Sequence, residues 1–172
     1  MTLSRTIPAF VLAVAAFGLA SAGAPEASGA GAALEIRFQD PEGREVFLRM
    51  VVCADFVAEN FSPRVLGNLG LGYEALREIK PDVILLSLSA YGNTGPWANV
   101  PGIGGTIEPT SGMTALHGYE GGPPMNSGQM YPDAVAGLYG CGAILAALHH
   151  RQRTAEGQYI DLSMQEANLA HI

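Results

Sequence analysis

Lysine occurs once in this chain, at Lys80, and charged residues make up only 15% of its 172 residues. The 9 Lys and Arg are outnumbered by 16 Asp and Glu, which leaves a formal charge of −7. No cluster of basic residues interrupts that balance, so a nucleic-acid surface is argued against. Cysteine is nearly absent as well. Cys53 and Cys141 form no CxxC and have no metal-ligand spacing, and each is expected to be a small buried hydrophobe. No GxxxxGK[ST] and no strand-coupled GxGxxG occurs, so phosphate-loop chemistry is not expected. The one long N-terminal apolar run, Ile7 to Ala20, is short for a membrane span, and no membrane partner is expected.

Hydrophobic residues reach 48%, with 22 glycines and 11 prolines, a composition that belongs to a globular chain long enough to bury a core. The first 33 residues differ from the rest. Arg5, the run Ile7–Ala20 and the small residues Ser21-Ala22-Gly23-Ala24 have the order of a secretory leader. Pro25–Ala33 then reads as a Gly/Ala-rich linker. The segment is either an export signal or not a native part of the domain, and the chain divides into 1–33 and 34–172.

From Leu34 the pattern alternates between strand and helix. Leu34–Phe38 reads as a short strand. Asp40-Pro41 opens a helix with Asp as N-cap and Pro at its first position, burying Val46, Phe47, Met50 and Val51. Ala54–Phe61 reads as a strand that Ser62-Pro63 ends. Gly72-Tyr73-Glu74 leads into a helix with Leu76 and Ile79 inward, stopped by Pro81. Asp82–Ser89 is a continuous apolar strand of the kind buried on both faces of a parallel sheet. The segment 90–128 is read as having little regular structure, and long segments of that kind are usually functional. Tyr91–Pro96 directly follows the most buried strand, where open α/β sheets bind ligands. Gln158–Ser163 reads as another strand, with Ile160 and Leu162 inward. Ser163-Met164-Gln165-Glu166 is a capping box for a final helix. The expected class is α/β, a parallel sheet flanked by helices.

The chemistry centres on MNSGQMYPDAVAGLYGCG, residues 125–142. Asp133 follows Tyr131-Pro132 and heads a helical run through Val135, Leu138, Tyr139, Ile144, Leu145 and Leu148. It therefore lies at or next to a helix N-terminus, where backbone N–H groups and the helix dipole favour its charge. Glycines 137, 140 and 142 thin one side of the helix and suggest the close approach of something large. Two roles remain open from the pattern: a helix cap, or a carboxylate nucleophile in a glycine-walled pocket. His149-His150-Arg151 suits a helix C-terminus, and adjacent histidines point to different sides, so no metal site is expected there.

Two blocks carry a resemblance: ENFSPRVLGNLGLGYEALREIKPDVILLSLSAYGNTGP and PDAVAGLYGCGAILAALHHRQRTAEGQYIDLSMQEA. From Leu34 onward the chain resembles the family III CoA-transferases, the CaiB/BaiF group that includes formyl-CoA transferase and carnitine CoA-transferase. The resemblance implies a Rossmann-like large domain, of which 34–172 would be a part. The opening βα unit and a second domain of the family have no counterpart in the sequence. It implies transfer of coenzyme A from an acyl-CoA thioester to a carboxylic acid, through an aspartyl-CoA intermediate on Asp133 and without a metal. Asn60, Phe61, Tyr91 and Gly92 match positions of the CoA site. Asn68 replaces an Arg usual in the family, and Arg64 could supply that charge. The sister 2-methylacyl-CoA racemases use a His where this chain has Ile103, which disfavours isomerisation. A truncated, inactive fragment that only binds or associates is the third expectation. Full-length members are homodimers. CoA-ester metabolism implies a cytoplasmic protein, against the export that Met1–Ala24 would imply.

Overall fold

The computed structural model describes Val11–Val14 and residues 40–172. Four strands form one sheet in the order β1-β2-β3-β4. These are β1 (Val11–Val14), β2 (Phe56–Glu59), β3 (Ile84–Ser89) and β4 (Gln158–Ser163). Every pairing is parallel: Val11 pairs with Phe56, Val57 with Leu85, and Ile84 with Gln158. The expected α/β class with flanking helices is therefore observed. The apolar run read as a leader or foreign segment contributes the outer strand. The strand expected at Leu34–Phe38 lies outside the described residues.

Helix α1 (Pro41–Cys53) begins as expected, with Asp40 at the N-cap position and Pro41 first in the helix. Phe47 and Val51 face inward; Val46 is exposed, which corrects its assignment to the buried stripe. A short helix α2 (Val65–Asn68) and then α3 (Tyr73–Ile79) complete this side. Leu76 is fully buried, but Ile79, the last residue of the helix, is exposed, which corrects its assignment to the inward face. Phe47, Val51, Val57, Leu71, Leu76 and Leu85 form the apolar core between these helices and the sheet.

The segment 90–128 is more regular than its glycines and prolines suggest. It contains α4 (Gly104–Ser111) and the single turn α5 (Met113–Leu116). The Thr106 hydroxyl accepts from the Ile103 N–H at 2.9 Å and organises the start of α4. Gly112, at φ 92°, ends it.

Helix α6 runs the full Tyr131–Thr154 and packs along β3 and β4. It is long and apolar enough to span a membrane by composition, yet here it lies against the sheet. Its inward face uses small residues. Val135, Ala136, Gly140, Ile144 and Ala147 are buried, whereas Leu138 is 71% exposed and Leu145 62%. The large body that approaches Gly140 is the sheet itself: a Cβ there would stand 3.0 Å from a Leu86 methyl and 3.3 Å from one of Leu88. Gly137 and Gly142 meet nothing within 4 Å. Cys53 and Cys141 are both exposed, not buried as expected.

At the far end of α6, Arg151 donates to the Asp55 carbonyl at 2.7 Å and to its carboxylate at 2.9 Å. It thereby ties α6 to the start of β2. The last helix, α7 (Met164–Leu169), is capped by Ser163, whose hydroxyl accepts from the Glu166 N–H at 3.2 Å.

Candidate active site

Asp133 is the third residue of α6. Met130 holds the N-cap position in the left-handed region at φ 50°, and Pro132 lies in the first turn. Asp133 is therefore not the capping residue; it sits inside the first turn, where the helix dipole still favours a negative charge. The N–H groups of Asp133 itself and of Gly104, the first residue of α4, lie near its carboxylate, and the Asp133 N–H donates to the Met130 carbonyl at 3.0 Å. Desolvation by the surrounding protein is the larger effect and pushes its pKa above the ordinary carboxylate range; the two backbone donors pull the other way.

Gly104 is there because nothing larger fits. A Cβ at this position would collide with the Asp133 carboxylate and come within 2.9 Å of the Met130 Cα. The absent side chain lets the backbone of α4 reach the acid directly.

Asp133 lines a cavity of about 500 Å³ at the carboxyl ends of β2 and β3. Asn60 and Phe61 enter it from the residues just after β2, and Tyr91 from the loop after β3. Four of the five residues singled out from the sequence therefore share one cavity. Gly92 does not line it. It is buried at φ 82° behind Tyr91, packed towards Ser163 and Asp161, so its part is to turn the chain. Ile103 lines the cavity beside Asp133. Asp133 is the one carboxylate among the described lining residues, and no histidine is among them. His117 is exposed elsewhere.

Sequence reasoning missed a polar network behind these residues. Glu59, the last residue of β2, is buried; it accepts from the Phe61 N–H at 2.6 Å and from the Ser87 hydroxyl. Asn93 donates to Ser87 at 3.1 Å and to the Asp161 carboxylate at 2.9 Å. Burial raises the Glu59 pKa, against the lowering effect of its two donors. This network links the carboxyl ends of β2 and β3 with β4 and fixes both loops that feed the cavity. The available signal was positional: Glu59 ends a strand, and Asn93 follows Tyr91-Gly92.

A second cavity, of about 520 Å³, adjoins the first through Ser62. Arg64, Tyr73 and Tyr159 line it, with the two rings 5.5 Å apart. Among the described residues, no group of three or more His, Cys, Asp or Glu could hold a metal ion.

Comparison with known proteins gives a consistent result. The model of CoA-transferase family III matches residues 31–172. The chain is 38% identical over 133 residues to the succinyl-CoA–L-malate CoA-transferase beta subunit of Chloroflexus aurantiacus, covering 77% of this chain and 33% of that one. It is 36% identical over 142 residues to succinyl-CoA:glutarate CoA-transferase of Homo sapiens, covering 81% and 32%. Among solved structures, a CAIB/BAIF family protein from Brucella suis superposes with a TM-score of 0.75 at 37% identity, covering 78% of this chain and 35% of that one. The chain thus spans about a third of the length of the relatives it matches.

Proposed function

The chain belongs to CoA-transferase family III, and from that premise we propose that it carries the nucleophile of a CoA transfer between an acyl-CoA thioester and a carboxylic acid. The observation that carries this reading is the placement of Asp133. Its carboxylate lies against the Gly104 backbone, in a cavity with Asn60, Phe61 and Tyr91, with no second carboxylate among the described lining residues.

The chemistry follows from the group. An Asp133 oxygen attacks the donor thioester carbonyl; the C–S bond breaks, CoA leaves as thiolate, and a mixed anhydride remains. The thiolate attacks the Asp133 carbonyl carbon and expels the donor acid, leaving an aspartyl-CoA thioester. The acceptor carboxylate attacks the same carbon and releases CoA thiolate again. The thiolate then takes the acceptor acyl group and frees the Asp133 carboxylate. Thioester energy is conserved throughout, so no nucleotide hydrolysis is needed. A raised pKa makes the carboxylate a better nucleophile once ionised. Backbone N–H groups of the kind Gly104 supplies stabilise the charge that develops on oxygen.

CoA is long, with a reactive thiol at one end and a phosphorylated nucleotide at the other. The two adjoining cavities suit that shape, and Arg64 is the cation in the second one, in keeping with its expected role in place of Asn68. Isomerisation by paired acid and base is disfavoured, because Ile103 presents no titratable group to Asp133.

Succinyl-CoA, the donor named for two of the relatives, is the first substrate to try. With wild type, a hydroxylamine quench during turnover should leave a hydroxamate on Asp133, detectable by peptide mass. Asp133→Ala should give no transfer while still unfolding in one cooperative transition. An unmodified Asp133 during wild-type turnover would overturn the assignment.

A further inference from the structure

Glu108 is the acid that this chemistry leaves unused. It is 1% exposed, on the middle of α4, one helical turn after Gly104. A carboxylate is almost never buried so fully without dedicated partners. Its hydrogen-bond donors lie in the loop that enters α6 and at the first residue of that helix. The Ser127 N–H donates to it at 2.7 Å, the Ser127 hydroxyl also donates, and the Tyr131 N–H lies at 3.4 Å.

Those donors flank Met130. A non-glycine residue in the left-handed region costs about 1–2 kcal/mol, and it persists only where its surroundings impose it. Two more contacts come from the same helix: the Gly105 N–H reaches the Met130 sulfur at 3.1 Å, and the Gly105 carbonyl accepts from Asn126 at 2.8 Å. Met130 in turn accepts from the Asp133 N–H at 3.0 Å. The first turn of α6 is thus set against α4 at two heights, by the close approach of Gly104 to Asp133 and through Glu108 by way of the loop. Burial by itself pushes the Glu108 carboxyl up, but the Ser127 and Tyr131 donors, with His117 nearby, outweigh it and hold its pKa below the ordinary range.

We propose that Glu108 is a positioning residue for Asp133: its carboxylate grips the loop on both sides of Met130 and so sets where the first turn of α6 presents the nucleophile. The proposal rests on the assignment of Asp133 above. It concerns orientation and not substrate contact, since Glu108 does not line the cavity.

The test is made on the full chain with succinyl-CoA, reading the single-turnover rate of the Asp133 adduct and the KM for succinyl-CoA. Misplacement by about 1 Å costs on the order of 10²-fold in rate. Glu108→Ala should therefore slow adduct formation by roughly that factor, with KM changed by less than about 3-fold. Ser127→Ala removes one donor, keeps the acid, and should fall between Glu108→Ala and wild type. It serves as the deciding variant if Glu108→Ala does not fold. A folded Glu108→Ala that forms the adduct at the wild-type rate overturns the proposal alone, as does a wild-type rate for Ser127→Ala where only that variant folds. A loss confined to KM overturns it too. Absence of the adduct in wild type instead overturns the assignment of Asp133, and this proposal with it.

Discussion

Asp133 and Glu108 are two acids tied to the same helix, α4, and their surroundings drive them in opposite directions. Asp133 is raised because packing outweighs its two backbone donors, and Glu108 is lowered because its donors outweigh burial. The consequence for activity has a definite sign. As the proposed nucleophile, Asp133 would attack only when ionised, so the rate of acylation should be lost as pH falls through its raised pKa. The acid limb of that rate should therefore lie above the ordinary Asp value of about 3.9. A pH profile of single-turnover adduct formation checks this, and an acid limb at or below the ordinary value would contradict the described environment. Folding responds with the opposite sign: a carboxylate raised in the native state disfavours the native state increasingly as pH rises through its ionisation.

Helix α6 meets the sheet through small residues, and this decides the geometry of the site at its start. Gly140 brings the helix within reach of the Leu86 and Leu88 side chains, while Arg151 fastens its far end to Asp55. Anything that lifts the helix at Gly140 shifts the turn that carries Asp133. Gly140→Val inserts a branched side chain where a single Cβ already stands 3.0 Å from Leu86. Overpacking of this kind typically costs about 1–3 kcal/mol. Urea unfolding should show a midpoint lowered accordingly, and an unchanged midpoint would mean that α6 is free to move off β3.

The face of α6 turned away from the sheet is apolar. Leu138 and Leu145 are more than half exposed, and Leu169 and Ile172 on and after α7 are about half exposed. Exposed apolar groups gathered this way favour association. The 172-residue chain should therefore sediment above its 17.9 kDa monomer as concentration rises, and Leu138→Glu with Leu145→Glu should return it to the monomer. A monomer at all concentrations would show that this face is tolerated bare. Association by itself would fit the homodimers expected from the family resemblance, and adduct formation by the same preparation separates a working enzyme from an inert associating chain.

Much of the architecture was legible because its signals are local. Asp40-Pro41 starts a helix, Ser163 with Glu166 starts another, and Asp82–Ser89 reads as a doubly covered strand, observed as Ile84–Ser89; each rests on neighbours in the chain. The placement of Asp133 was legible in the same way, since Tyr131-Pro132-Asp133 marks a helix start within a recognisable block. Burial was read less well. Leu138, Leu145, Val46 and Ile79 are apolar yet face outward, and the cysteines are exposed, because helical spacing shows that a stripe exists but not which side the sheet will cover. Helix α4 was hidden by Gly104, Gly105 and Pro109, residues that locally disfavour a helix and are tolerated because Gly104 must pass close to Asp133. The Glu108–Ser127, Glu59–Ser87 and Asn93–Asp161 bonds join residues 19 to 68 positions apart. Periodicity over a few turns carries no information at that range, so only the tertiary structure could bring those groups together.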